Sequence, residues 1–211
     1  MNGYKFAKSV LIVCVVVATM VTIVLAFSGR ASKGTVVIGQ SVADKKISRR
    51  MHKDEVLEFD DLKIKAKKIK LDQGFQHDSE DENWLEGLEL KLKNKSEKPV
   101  VFISIDLAFP ETGNVAPMRV YDVNIGQRPG SPRQLANSIF IIPNDVIHYS
   151  LSNVELSNIK AFLSRGNFTL KGISKLEIRV TTVIFSDGMK WYEGEWFRPN
   201  PSVPSGYEKV S

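Results

Sequence analysis

Residues 10–27 read VLIVCVVVATMVTIVLAF, eighteen positions without a charged side chain. No other stretch restricts the chain so severely. As a helix it would rise about 27 Å at roughly 1.5 Å per residue, close to the hydrocarbon thickness of a bilayer. The apolar core of a cleaved signal peptide is shorter, about 7–15 residues. The run therefore reads as an uncleaved signal anchor, that is, a single transmembrane helix. Small residues at Ala26, Ser28, Gly29 and Ala31 leave a cleaved leader as the alternative. Cys14 sits inside the run with thirteen of its residues still to follow, so it reads as a small apolar side chain in lipid and not as a lipid attachment point.

Positive charge lies on both sides of the span: Lys5 and Lys8 before it, Arg30, Lys33, Lys45 and Lys46 after it. Charge alone does not set the direction of insertion. The nine-residue leader, with the span directly after it, has the form of an export signal. The expected location is the cytoplasmic membrane, single-pass, with the C-terminal domain periplasmic or at the cell surface. Cys14 is the only cysteine, so an exported body has no disulfide and no thiolate metal site.

The net charge of +5 is unevenly spread. The leader contributes +2 and residues 28–53 contribute +6, leaving −3 on everything that follows. Nucleic-acid binding needs a basic face on the domain itself, so a nucleic-acid partner is not expected. Residues 28–53, rich in Ser, Gly and Lys, read as a basic flexible linker beside the membrane. A β-sandwich domain is expected over 54–198 and a Pro-rich tail over 199–211.

Within that domain the hydrophobic period is two. Leu62, Ile64 and Ala66 alternate with lysines, and Leu88, Leu90 and Leu92 alternate with Glu89, Lys91 and Lys93. Each pattern describes a strand with one wet face. Residues 100–109, VVFISIDLAF, are more uniformly apolar and suit a central strand. Residues 110–137 are rich in Gly and Pro and form a long connection, with room for a strand at 118–125. Further strands are expected at 138–142 and 146–151, split by a turn at Pro143-Asn144-Asp145. One helix stands out. Ser152-Asn153-Val154-Glu155 has the form of a capping box, Leu156, Ile159 and Leu163 recur at helical spacing, and Gly166 marks the stop. Strands return at 176–185 and 189–197 around the hairpin signal Asp187-Gly188, with a bulge or kink expected at Gly194. About seven strands, one short helix and no βα alternation predict a mainly β fold, an antiparallel immunoglobulin-like sandwich, with a small barrel as the alternative.

Two segments carry a family resemblance. Residues 90–100, LKLKNKSEKPV, resemble the strand, Asn-Lys-Ser, Lys-Pro-Val, strand signature of exported immunoglobulin-like modules of the FxLYD and late-embryogenesis-abundant types. Phe185, Asp187, Gly188 and Trp191 resemble a Phe-x-Asp-Gly-x-x-Trp hairpin of uncharacterised bacterial exported proteins that contain such a domain. The resemblance spans about residues 85–199. It implies an immunoglobulin-like sandwich in which Asn94 and Ser96 make a hairpin turn, and it brings no catalytic residues.

Candidate chemistry is sparse. His77-Asp78-Ser79-Glu80-Asp81-Glu82 is dense in oxygen ligands that suit calcium, but its spacing is not that of an EF-hand, and a solvated loop is the simpler reading. His52, His77 and His148 lie in no nucleophile motif, and G-x-S-x-G does not occur. The aromatic group Trp191, Tyr192, Trp196 and Phe197 is the best binding candidate. An unbroken strand would put Trp191 and Phe197 on one face and Tyr192 and Trp196 on the other, the latter pair free to stack on a sugar if exposed. The expected function is a non-catalytic interaction or structural module of the cell envelope, with no cofactor, no metal and an envelope protein or glycan as partner. The alternatives are a carbohydrate- or peptidoglycan-binding module using Tyr192, Trp196 and Trp191, and an enzyme whose site the sequence does not reveal.

Overall fold

The computed structural model describes residues 42–115, 117–128 and 139–210. The expected span at residues 10–27 lies outside them. Among the described residues no helix is long and apolar enough to cross a membrane.

Two β-sheets share one hydrophobic core. The smaller sheet is antiparallel, and its strands are β2 (Leu57–Ile64), β3 (Lys67–Lys68), β5 (Glu89–Asn94) and β8 (Val146–Ser150), in the order β3-β2-β5-β8. The larger sheet is built around β9 (Lys175–Phe185), which pairs along one edge with β6 (Val100–Phe109); β6 in turn pairs with β7 (Arg119–Gly126). The other edge of β9 is divided. Its first half runs parallel to β1 (Val42–Arg50), which continues to β4 (Gly74–Asp78). Its second half runs antiparallel to β10 (Lys190–Tyr192), followed by β11 (Glu195–Pro199) and β12 (Tyr207–Lys209).

The period-two reading explains the core. Leu57, Leu62, Ile64, Leu90 and Leu92 from the smaller sheet meet Ile47, Ile103, Ile105, Leu107, Ile178 and Val180 from the larger, all buried. Helix α1 (Asn153–Ser164) starts as the sequence predicts. Ser152 Oγ accepts from the Glu155 amide, and Glu155 accepts from the Ser152 amide. Leu156, Ile159 and Leu163 are its buried face.

Several expectations are corrected. The sandwich is mixed, because β1 and β9 are parallel. Residues 42–50, read as part of a flexible linker, form a strand inside the larger sheet, with Lys45 and Ile47 buried. Counting residues 42–53 with the body, the net charge of residues 42–211 is +1, against −3 for residues 54–211 alone. Ala66 is not an inward strand residue. Lys65 and Ala66 have φ of 47° and 64° and form the two-residue turn between β2 and β3, a conformation whose twist matches a tight hairpin. Asn94 and Ser96 do not close a hairpin, because β5 and β6 belong to different sheets. Asn94 is instead a buried staple of the crossover, donating to the carbonyls of Lys98 and Ile141 and accepting from Ser96. Within 139–142 only Ile141 pairs, as an isolated bridge to Val100. The tail is not wholly irregular, since β12 completes the larger sheet.

One lysine is held as firmly as the apolar core. Lys45 is 2 % exposed. Its ammonium donates to the carbonyls of Lys171 (2.9 Å) and Ile173 (2.7 Å) and lies 5.3 Å from the centre of the Trp84 ring. Trp84 donates from Nε1 to the Leu170 carbonyl. Together they pin the segment between α1 and β9 against β1. Burial pulls the Lys45 pKa below the ordinary lysine value, against the opposing charges of Glu111 and Asp81.

Candidate functional site

The face an aromatic occupies in this region is decided by the turn between β10 and β11. Glu193 (φ 46°) and Gly194 (φ 93°) form a two-residue hairpin, so the strand is folded over there and not merely bulged. Trp191 therefore pairs directly with Trp196, and Lys190 with Phe197. The expected grouping of Trp191 with Phe197 and of Tyr192 with Trp196 is thus reversed. Trp191 is fully buried, and Trp196 is half-buried and stacked on Phe185 with ring centres 5.3 Å apart. Neither tryptophan offers a free ring to a ligand. Tyr192 does, at 42 % exposure, on the opposite face.

That outer face holds an arrangement that sequence spacing did not reveal. Cross-strand register aligns Phe102, Ile184, Lys190, Phe197 and Lys209 in one row across β6, β9, β10, β11 and β12. The Lys190 ammonium lies 4.2 Å from the Tyr207 ring centre, 4.7 Å from Phe197 and 5.7 Å from Tyr192. Three π-faces thus surround one cation. Arg128 sits over Phe102 at 5.4 Å. Phe102 and Ile184, although on the outer face, are 2 % and 1 % exposed and form an apolar floor. Burial, and then the charge of Arg128, lower the Lys190 pKa from the ordinary lysine value. Tyr207 lies in the segment read as a Pro-rich tail, and only the two-residue spacing Glu193-Gly194 could have placed Phe197 beside Lys190.

Along the same face a polar patch follows. Asp106 faces Asp122 across β6 and β7 and Arg179 across β6 and β9. Ser104 donates to Asp122 Oδ1 at 2.6 Å, and Asn124 donates to Asp122 Oδ2 at 2.7 Å. Burial and the neighbouring charge of Asp122 raise the Asp106 pKa, against the pull of Arg179.

The acidic loop is tied down locally. Asp78 caps the Glu80 amide, Asp81 caps the Asn83 amide, Glu80 pairs with Lys171, and Asp81 pairs with Lys65 (2.5 Å) and His77 (2.6 Å). Among the described residues no group of three or more His, Cys, Asp or Glu is arranged to hold a metal ion. The histidines are dispersed. His77 is held by Asp81, His148 is exposed on β8, and His52 packs edge-on to Trp191 at 5.9 Å. A groove of about 820 Å³ opens between the edges of β7 and β8, lined by Asn124, Ile139, His148, Tyr149 and Glu155 among others. On its wall Tyr149 donates to Glu155 Oε1 at 3.1 Å.

Comparison with protein-family models, with curated proteins and with solved structures finds no match for this chain.

Proposed function

We propose that this chain is a single-span envelope protein whose extracytoplasmic β-sandwich, immunoglobulin-like in arrangement, is a non-catalytic interaction module. Its contact surface is the outer face of the larger sheet around Lys190. The observation that carries this reading is the set of three rings about one ammonium at a sheet surface, one of them the exposed ring of Tyr192. Tyrosine and arginine, present here as Tyr192, Tyr207 and Arg128, are among the residue types that dominate interfaces. The anchor at residues 10–27 and the resemblance of residues 85–199 to exported modules support the location.

Protease accessibility on intact cells and on spheroplasts, with a C-terminal epitope tag, tests the topology. The expected result is loss of the tagged domain without lysis, while an N-terminal fragment stays in the membrane pellet. Protection until the membrane is broken would place the domain inside and end this reading. Within the reading, a carbohydrate ligand is favoured over a protein ligand by the Tyr192 ring, which has the exposure needed to stack on the C–H face of a sugar. The tryptophans take no part in it.

A further inference from the structure

We infer that the surface around Lys190 binds an anionic group carried on a sugar chain, with Lys190 and Arg128 meeting the anion and Tyr192 stacking on the sugar ring. This deepens the proposed function and rests on the same face being the contact surface.

The inference starts from an imbalance of charge. Several cations near it, on β9, β11 and β12 and in the loop before β6, have anionic partners. Lys209 pairs with Glu195, Arg198 with Glu208, Arg179 with Glu177 and Lys98 with Asp187. Among the described residues Lys190 has no carboxylate partner; its neighbours are rings and a second cation, Arg128. Two like charges over the apolar floor of Phe102 and Ile184 leave a local positive potential that nothing in the described fold neutralises. An anion placed between them would relieve that repulsion. The rings hold the ammonium in position beforehand, which lowers the ordering cost of binding.

The rest of the row sets the class of ligand. Glu195 and Lys209 close one side of the cluster with their own ion pair, so the positive charge is local and not a basic belt. With a net charge of only +1, residues 42–211 do not attract polyanions as a whole. Recognition therefore depends on one anion held at a fixed distance from a ring that can be stacked. A carboxylated or phosphorylated glycan meets both requirements, since each repeat presents an anion beside a sugar ring.

The test is equilibrium binding of the full chain, reconstituted in neutral lipid nanodiscs, to three probes of matched length: oligogalacturonate, a phosphodiester-linked oligomer of N-acetylglucosamine 1-phosphate and the neutral hexamer of N-acetylglucosamine. At least one acidic probe is expected to bind ten-fold or more tightly than the neutral one, with affinity falling as salt rises. The two acidic arms distinguish a carboxylate from a phosphate source. Lys190→Gln is expected to lose at least ten-fold and Tyr192→Ala a similar amount. Lys190→Arg is expected to retain most of the binding, and Lys67→Gln, on β3, to change nothing. Unchanged tryptophan fluorescence in each variant controls for folding. Equal binding of acidic and neutral probes, or an unaltered affinity in Lys190→Gln, overturns the inference. If Lys190→Gln and Tyr192→Ala still abolish sedimentation with isolated cell envelopes while no acidic probe binds, the anion assignment fails and the contact surface stands. If envelope sedimentation is also unchanged, both fail.

Discussion

Removing the Glu55 carboxylate should be among the most damaging single changes in this domain. Arg49 and Glu55 form an ion pair at 2.8 Å with side chains 11 % and 3 % exposed. Arg49 also donates to the Leu57 carbonyl at 3.1 Å and stacks on Phe59 at 4.2 Å. The pair sits where the chain leaves β1 in one sheet and enters β2 in the other, so it fastens the two sheets at that end. In Glu55→Gln the guanidinium stays buried without its counter-ion. Breaking one half of a buried pair costs about 3–5 kcal/mol, because the remaining charge is uncompensated. For a domain of this size that corresponds to a fall of roughly 10 °C in Tm. Replacing both partners by apolar residues of similar volume, Arg49→Met with Glu55→Leu, should cost far less than either single change implies, since no orphan charge remains. Urea unfolding followed by tryptophan fluorescence is the assay; Trp84, Trp191 and Trp196 all lie in the folded region. A Glu55→Gln loss below about 1 kcal/mol, the size typical of a solvent-exposed pair, would refute the reasoning. So would strict additivity in the double variant.

Lys45→Met should destabilise by about 2–4 kcal/mol, since one buried and one part-buried carbonyl lose a charged donor; the same urea titration checks it, and an effect under about 0.5 kcal/mol would mean that the ammonium does not hold the Lys171–Ile173 segment. Burial alone would raise the Asp81 pKa, but hydrogen bonds from Lys65, His77 and the Asn83 amide outweigh it and hold the group at about 2. Because the folded value lies below the unfolded one, the contribution is complete above about pH 4 and is lost as pH falls towards 2; it is about 1 kcal/mol once solvent screening is allowed for. Comparing the parent chain with Asp81→Asn between pH 2 and 5 should show the parent's advantage appearing only in the upper part of that range, and a constant difference would contradict the assignment. Gly126→Ala should cost about 2–3 kcal/mol: φ is +86°, and a Cβ would lie 2.4 Å from the Val101 carbonyl oxygen. A near-neutral thermal melt for that variant would show that the end of β7 is not so constrained.

What was readable in the sequence was whatever local chemistry decides. The capping box at Ser152 and Glu155 satisfies helix amides within four residues, and it appears where expected. The alternation at Leu90 and Leu92 reports a half-buried strand without reference to its partners. The failures came where a few residues change the register. Lys65-Ala66 and Glu193-Gly194 are two-residue turns with positive φ, and neither carries the strong Asn-Gly or Asp-Gly signal. Reading straight through the second put Trp196 on the wrong face and hid the approach of Phe197 to Lys190. Strand β1 was missed for a different reason. Its sequence VADKKISRR buries a lysine where an apolar residue would signal a strand, and the carbonyls that compensate it come from residues more than a hundred positions away. Tyr207 likewise joins the aromatic cluster only through tertiary pairing of β12 with β11.

The position of β1 also has a mechanical consequence. Tension arriving through the residues before Val42 enters a strand whose first half is held by five register pairs with β4 and whose second half by five with β9, the two sets meeting at Lys46. Backbone hydrogen bonds in a sheet run roughly across the strands, so a pull along β1 loads them together in shear instead of opening them one after another. The first strand of the domain is thus placed to pass load from whatever precedes it first to β4 and then to the central strand β9.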